Sequence, residues 1–194
     1  MMILWAMSMW ASAVVLAACD FGASVFRRHD LSKRSVVVLG VLVWILGWWA
    51  VSGSSGQYRV DPGFVLISAF AWTLVVALGD GRWWMLAPLL GVVGTMVRAL
   101  APFSFHQAQV FPAGPVEAMS LGVAAGLSLP DPLAASAVAA AGEGMACVLS
   151  AFGQAHGHDL GRHDLAAVIM AAMAAWFTGW LSALVHRTVT RRLA

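Results

Sequence analysis

Charge is what this chain has least of. Asp, Glu, Lys and Arg make up only 10% of its 194 residues, against about 25% in an ordinary soluble domain. That shortage excludes a conventional water-facing surface over most of the chain. Lysine is nearly absent, since ten of the eleven basic residues are Arg and only Lys33 is Lys. A retinal-binding seven-helix protein needs a Schiff-base lysine in its last span, so that class is excluded. The two cysteines, Cys19 and Cys147, lie in separate apolar segments with no CxxC or Cys/His neighbour. Redox and zinc motifs are thereby removed, and buried free thiols are the reading that remains. There is no Gly-rich phosphate loop, no GxSxG elbow and no HExxH. A net charge of +2 with no basic-aromatic surface gives no footing for nucleic acid.

What the chain does have is apolar length. Hydrophobic residues make up 61% of it and its mean hydropathy is +0.83, the composition of a chain whose solvent is mostly lipid. A helix crossing the ~30 Å hydrocarbon layer needs about 20 mostly apolar residues. Seven stretches are candidates, roughly 3–21, 36–51, 62–78, 83–101, 116–129, 132–152 and 165–186. Polar or helix-breaking segments close them, among them RRHDLSKR, GSSGQYRVD, GDGR, PDP and a histidine-rich loop. The expectation is an all-α, polytopic transmembrane bundle forming one integral membrane domain over residues 1–194.

Charge placement sets the expected orientation. No base precedes the first apolar run MMILWAMSMWASAVVLAACDF, while Arg27, Arg28, Lys33 and Arg34 follow it. A cleaved signal has the reverse order, so the run reads as a retained first span. With the N-terminus outside, the cytoplasmic side collects those four with Arg82, Arg187, Arg191 and Arg192. The external side receives only Arg59 and Arg162, the bias of the positive-inside rule. The C-terminus is then cytoplasmic. The fifth candidate is the weak one: 116–129 would make only about 21 Å of helix. Re-entry there would leave six spans and put the C-terminal arginines outside, against the charge rule. Trp5, Trp48, Trp49, Trp83 and Trp84 fall at expected membrane boundaries, where such rings are favoured. Trp10, Trp44, Trp72, Trp176 and Trp180 lie deeper and read as packing residues.

Small residues mark the fifth and sixth candidates. Gly122 and Gly126 form a GxxxG, and AASAVAAAGEGMA follows with Gly142 and Gly144 flanking an acid. Such residues let helix backbones approach where lipid supplies no hydrophobic drive. These helices read either as the interior pair of the bundle or as a contact face for a membrane partner or a second copy.

Few residues could carry chemistry. Glu143 lies near the middle of the sixth candidate, where an ionised acid costs on the order of 2.5–3.5 kcal/mol on insertion scales. It must be protonated, paired or facing a wet cavity. It is either a proton, cation or polar-ligand site or a structural acid bonded to a neighbouring helix. Arg98 is its natural partner, although its long stem could simply snorkel to the interface. Glu117 and Asp61 complete an expected external-leaflet cluster. Both have plainer roles: Glu117 as an acid in a helix's first turn, Asp61 as an N-cap before Pro62.

The stretch FGQAHGHDLGRHDLAAV holds His156, His158 and His163 with Asp159 and Asp164. These could supply nitrogen and oxygen ligands to a divalent metal, but their spacing matches no demanding signature. A solvated hinge explains the loop equally simply, with Asp164 as N-cap of the last helix. No cofactor is otherwise implied.

The opening LWAMSMWASAVVLAA, the basic loop RRHDLSKR and the segment GEGMACVLSAF, with Gly142 and Glu143 together, resemble the YphA-type integral membrane proteins of spore-forming Firmicutes. The resemblance covers most of the chain in hydropathy and spacing. It implies a bacterial multi-pass protein of the cytoplasmic membrane and no reaction. The expected function is a non-catalytic interaction or assembly component. The alternative is a small-solute or ion-binding transport component. An intramembrane enzyme would need a second acid or a metal centre near Glu143.

Overall fold

The computed structural model describes residues 2–20, 23–47, 51–52, 59–78, 81–104, 113–129, 131–153 and 160–193. They form α1 (Met2–Ala18), α2 (Ala23–Arg28), α3 (Lys33–Leu46), α4 (Pro62–Leu78), α5 (Gly81–Ser104), α6 (Ala113–Ser128), α7 (Pro132–Gly153) and α8 (Arg162–Leu193). Between α3 and α4 lies one antiparallel pair of two-residue strands, β1 (Val51–Ser52) and β2 (Arg59–Val60), with Val51 opposite Val60. The fold is a helical bundle. Its seven longer helices fall on the seven apolar stretches, while α2 arises inside a segment read only as a loop and β1 takes Val51 from the end of the second stretch.

Local chemistry sets the helix starts. Asp61 and Asp131 each precede a proline, and each uses its Oδ1 to accept from the second and third backbone N–H groups of the helix that follows. The distances are 2.7 Å to Gly63 and 3.3 Å to Phe64 in α4, and 2.9 Å to Leu133 and 3.3 Å to Ala134 in α7. Proline at the first helical position lacks only an N–H that would have been orphaned anyway. Ser32 caps α3 by accepting from Ser35 N–H at 3.1 Å. The last helix begins earlier than its apolar pattern. Arg162 opens α8, and Asp164 sits in its first turn rather than at the cap. Its Oδ2 reaches back to Gly161 N–H at 3.0 Å, the reciprocal half of a capping box.

Contacts between helix termini mark two ends of the bundle. At one, Asp61 N–H donates to Leu160 O at 2.8 Å and Val60 bridges Leu160. The strand pair is therefore tied at Val60 to Leu160, just before α8. At the other, His29 Nε2 lies 2.9 Å from Asp131 Oδ2, with Arg28 at 3.7 Å. This joins the turn after α2 to the turn before α7. Helices α1, α4, α6 and α8 thus run from the strand end to the basic end, and α3, α5 and α7 run back. Helix α7 is the central rod, packed against α4, α5, α6 and α8.

Residue size is distributed inside out. The interior is rich in alanine, including Ala118, Ala125, Ala135, Ala139, Ala141 and Ala171, while Leu4, Trp5, Met85, Leu127 and Phe177 face outward. Water would penalise such a surface, whereas hydrocarbon does not, and small interior residues are what close helix contact in lipid requires. Among the described residues three helices are long and apolar enough to cross a bilayer, over Gly81–Leu100, Pro132–Phe152 and Arg162–His186. The chain is by these features a membrane protein. Shorter apolar helices cover Leu4–Ala18, Pro62–Ala77 and Val116–Ser128.

Candidate functional site: an arginine shared by two buried glutamates

Three helices deliver one charge each to a single point. Arg98 of α5 donates from Nε to Glu117 Oε1 of α6 at 3.0 Å, and from Nη2 to Glu143 Oε1 of α7. Glu143 is fully buried, Glu117 nearly so, and the Arg98 side chain is only 20% exposed. The planar guanidinium suits this task because its donors point in fixed, different directions. Cys147, one turn beyond Glu143 on the same face of α7, lies beside Arg98.

Glycines set the depth of this contact. Gly94 lies one turn before Arg98. A Cβ there would fall 2.8 Å from Leu121 Cδ1, 3.1 Å from Ala146 Cβ and 3.9 Å from Glu143 Oε2. Gly142 faces α5, where a Cβ would stand 2.9 Å from Leu90 Cβ and 3.0 Å from Ala87 O. Gly144 faces α4, 2.7 Å from Ser68 Oγ by the same construction. The glycines on either side of Glu143 thus admit α5 and α4.

The Gly122–Gly126 face is covered within the chain. Added Cβ atoms there would meet Ala171 O and Ala174 Cβ, and Thr178 Oγ1 and Ala175 O, all on α8. The expected small-residue face is real, and α8 occupies it.

The four sequence-selected charges divide. Arg98, Glu117 and Glu143 meet, but no hydrogen bond or ion pair links Asp61 to them among the described residues. Asp61 is fully buried at the start of α4, where its Oδ1 caps the helix and its Oδ2 has no hydrogen-bond partner among those residues. Burial raises its carboxyl above the usual carboxylate range, opposed by the Gly63 and Phe64 N–H groups and by the nearby Arg162 charge. The first-turn role for Glu117 also changes. Helix α6 begins at Ala113, a full turn before it, so its partner is Arg98 rather than the helix end.

Sequence reasoning missed Gly94, Cys147 and Asp164 as neighbours of the site. Gly94 and Arg98, and Glu143 and Cys147, are each four apart on one helix, which was a readable signal. Asp164 acts on Glu143 through its charge, and nothing in the sequence pointed to that proximity. The second acid that an intramembrane enzyme would need near Glu143 is present as Glu117, with Arg98 between the two.

Of the histidine loop, His156, His158 and Asp159 lie outside the described residues, and His163 sits in the first turn of α8. Among the described residues no group of three His, Cys, Asp or Glu side chains is placed to hold a metal. No protein-family model, no curated protein and no solved structure matches the chain.

Proposed function

We propose that this chain is a multi-pass protein of a bacterial cytoplasmic membrane that binds a small polar solute or ion within its bundle, as a component of a transport system. The observation that carries the reading is the partly buried Arg98, shared by two buried glutamates. Charge is expensive in hydrocarbon, and where it is kept it marks ligand or ion pathways. Seven crossings with the N-terminus outside would put the strand end outside and the basic end in the cytoplasm, in line with the positive-inside rule. Helices α3, at about 21 Å, and α6, at about 24 Å, would then be the shallowest crossings. The likeness to YphA-type proteins fits the same location.

The assembly reading would have to use another surface, because α8 covers Gly122 and Gly126. An apolar groove between α1 and α8, lined by Trp5, Ser8, Ser12 and Met173, offers such a surface to a partner or second copy.

Thermal unfolding of the purified protein against a panel of inorganic cations, amino acids and carboxylates tests the binding reading. A ligand that binds only the folded state raises the midpoint in a saturable way. The reading predicts such a rise for at least one compound, weakened by Glu117→Gln or Glu143→Gln. A flat response to the whole panel would overturn it.

A further inference from the structure

The sign of the charge that the site takes follows from how its carboxylates are satisfied, on the binding reading above. Four acids are buried among the described residues: Asp61, Glu117, Glu143 and Asp164. Asp61 and Asp164 are held by backbone N–H groups at the starts of α4 and α8, where the helix dipole also favours negative charge. Glu117 takes the Arg98 Nε. Glu143 stands in mid-helix, beyond the reach of a helix end, and shares the same arginine. Its Oε2 is buried with no hydrogen-bond partner among the described residues.

One positive charge therefore serves two carboxylates, leaving the triad one negative charge in excess. Among the described residues, the charged and titratable groups around Glu143 are Arg98 from α5, Glu117 from α6, Cys147 on α7 itself and Asp164 from α8. The described part of α4 brings none beyond Asp61 at its start. Arg162 acts on Asp61. An uncompensated carboxylate in a low-dielectric interior is strongly disfavoured. An anionic ligand would have to displace a glutamate from Arg98, and a divalent cation would overshoot the balance.

We propose that Glu143 Oε2 is the binding atom for a single positive charge, a proton or an alkali-metal ion, and that this cation is the species the site carries. Gly94 of α5 approaches that oxygen without a side chain of its own, beside Leu121 and Ala146.

The test uses the full chain reconstituted in lipid bilayers. Thermal midpoints are compared in LiCl, NaCl, KCl and choline chloride at matched ionic strength. Infrared spectra at neutral pH then report any protonated carboxyl. In the metal arm, one alkali ion raises the midpoint by roughly 5–10 °C at a hundredfold excess over its dissociation constant, and Glu143→Gln loses the rise. In the proton arm the salts are equivalent, and a buried carboxylic-acid C=O band is present. That band survives in Asp61→Asn, Glu117→Gln and Asp164→Asn, so it is assigned even if Glu143→Gln fails to fold. Equivalent salts with no such band overturn the proposal. If a neutral or anionic compound from the wider panel still stabilises the protein, the binding reading stands without it.

Discussion

Arg98 and Glu143 lie 45 residues apart in the chain and on different helices, yet the guanidinium Nη2 donates directly to the Glu143 carboxylate. The same guanidinium holds Glu117. Removing its charge leaves two carboxylates facing each other in the interior. Breaking a buried pair from one side costs about 3–5 kcal/mol. Arg98→Met is therefore expected to destabilise the protein by about that much in denaturant unfolding. Arg98→Lys should lose less, since it keeps the charge but not the fork that reaches both partners.

Gly122 and Gly126 carry a different expectation. Because their faces meet Ala171, Ala174, Ala175 and Thr178 of α8, a leucine at either site overpacks the chain's own interior. The cost is of order 1–3 kcal/mol or more. Unfolding of Gly126→Leu should shift to lower denaturant, and a stable protein with merely altered oligomeric state would contradict this packing.

Asp131 tests the basic end. It caps α7 and receives His29. Asp131→Ala should cost about 0.5–2 kcal/mol, as the loss of a helix cap does. Asp131→Asn keeps an acceptor for the Leu133 N–H and should lose markedly less. Equal losses in thermal unfolding would assign the effect to the His29 contact instead.

Asp61 gives a pH dependence of definite sign. Burial holds its carboxyl above the ordinary value of about 3.9, so the folded chain binds that proton more tightly than the unfolded chain. The contribution is fully present below the ordinary value and is lost as pH rises through the raised one. Asp61→Asn retains a cap of similar rank and does not titrate. The stability of wild type relative to Asp61→Asn should therefore fall as pH rises from about 4, measured by paired unfolding curves.

Much of the bundle was readable in the chain because apolar length and Asp-Pro or Gly punctuation are local signals. Helix α2 was not, since six residues among Arg27, Arg28 and their neighbours carry no periodic apolar stripe. The early starts of α6 and α8 were missed because a first turn can be polar or glycine-rich without breaking the helix. Glu143 and Arg98 stood out individually, each costly in lipid. Which acid would join them depended on helix adjacency: α5 and α6 meet α7 near Glu143, while Asp61 is spent on its own helix start. The small-residue faces were legible as packing surfaces, but not that α8 would fill the one on α6.

The most direct test of the central relationship is a double-mutant cycle on Arg98→Gln and Glu143→Gln, read by unfolding free energy in lipid or detergent. A buried, hydrogen-bonded pair predicts a coupling of about 1.5 kcal/mol or more, with the double variant less damaged than the sum of the singles. Additivity to within about 0.5 kcal/mol would mean that the two residues act independently. The internal charge site would then lose its foundation.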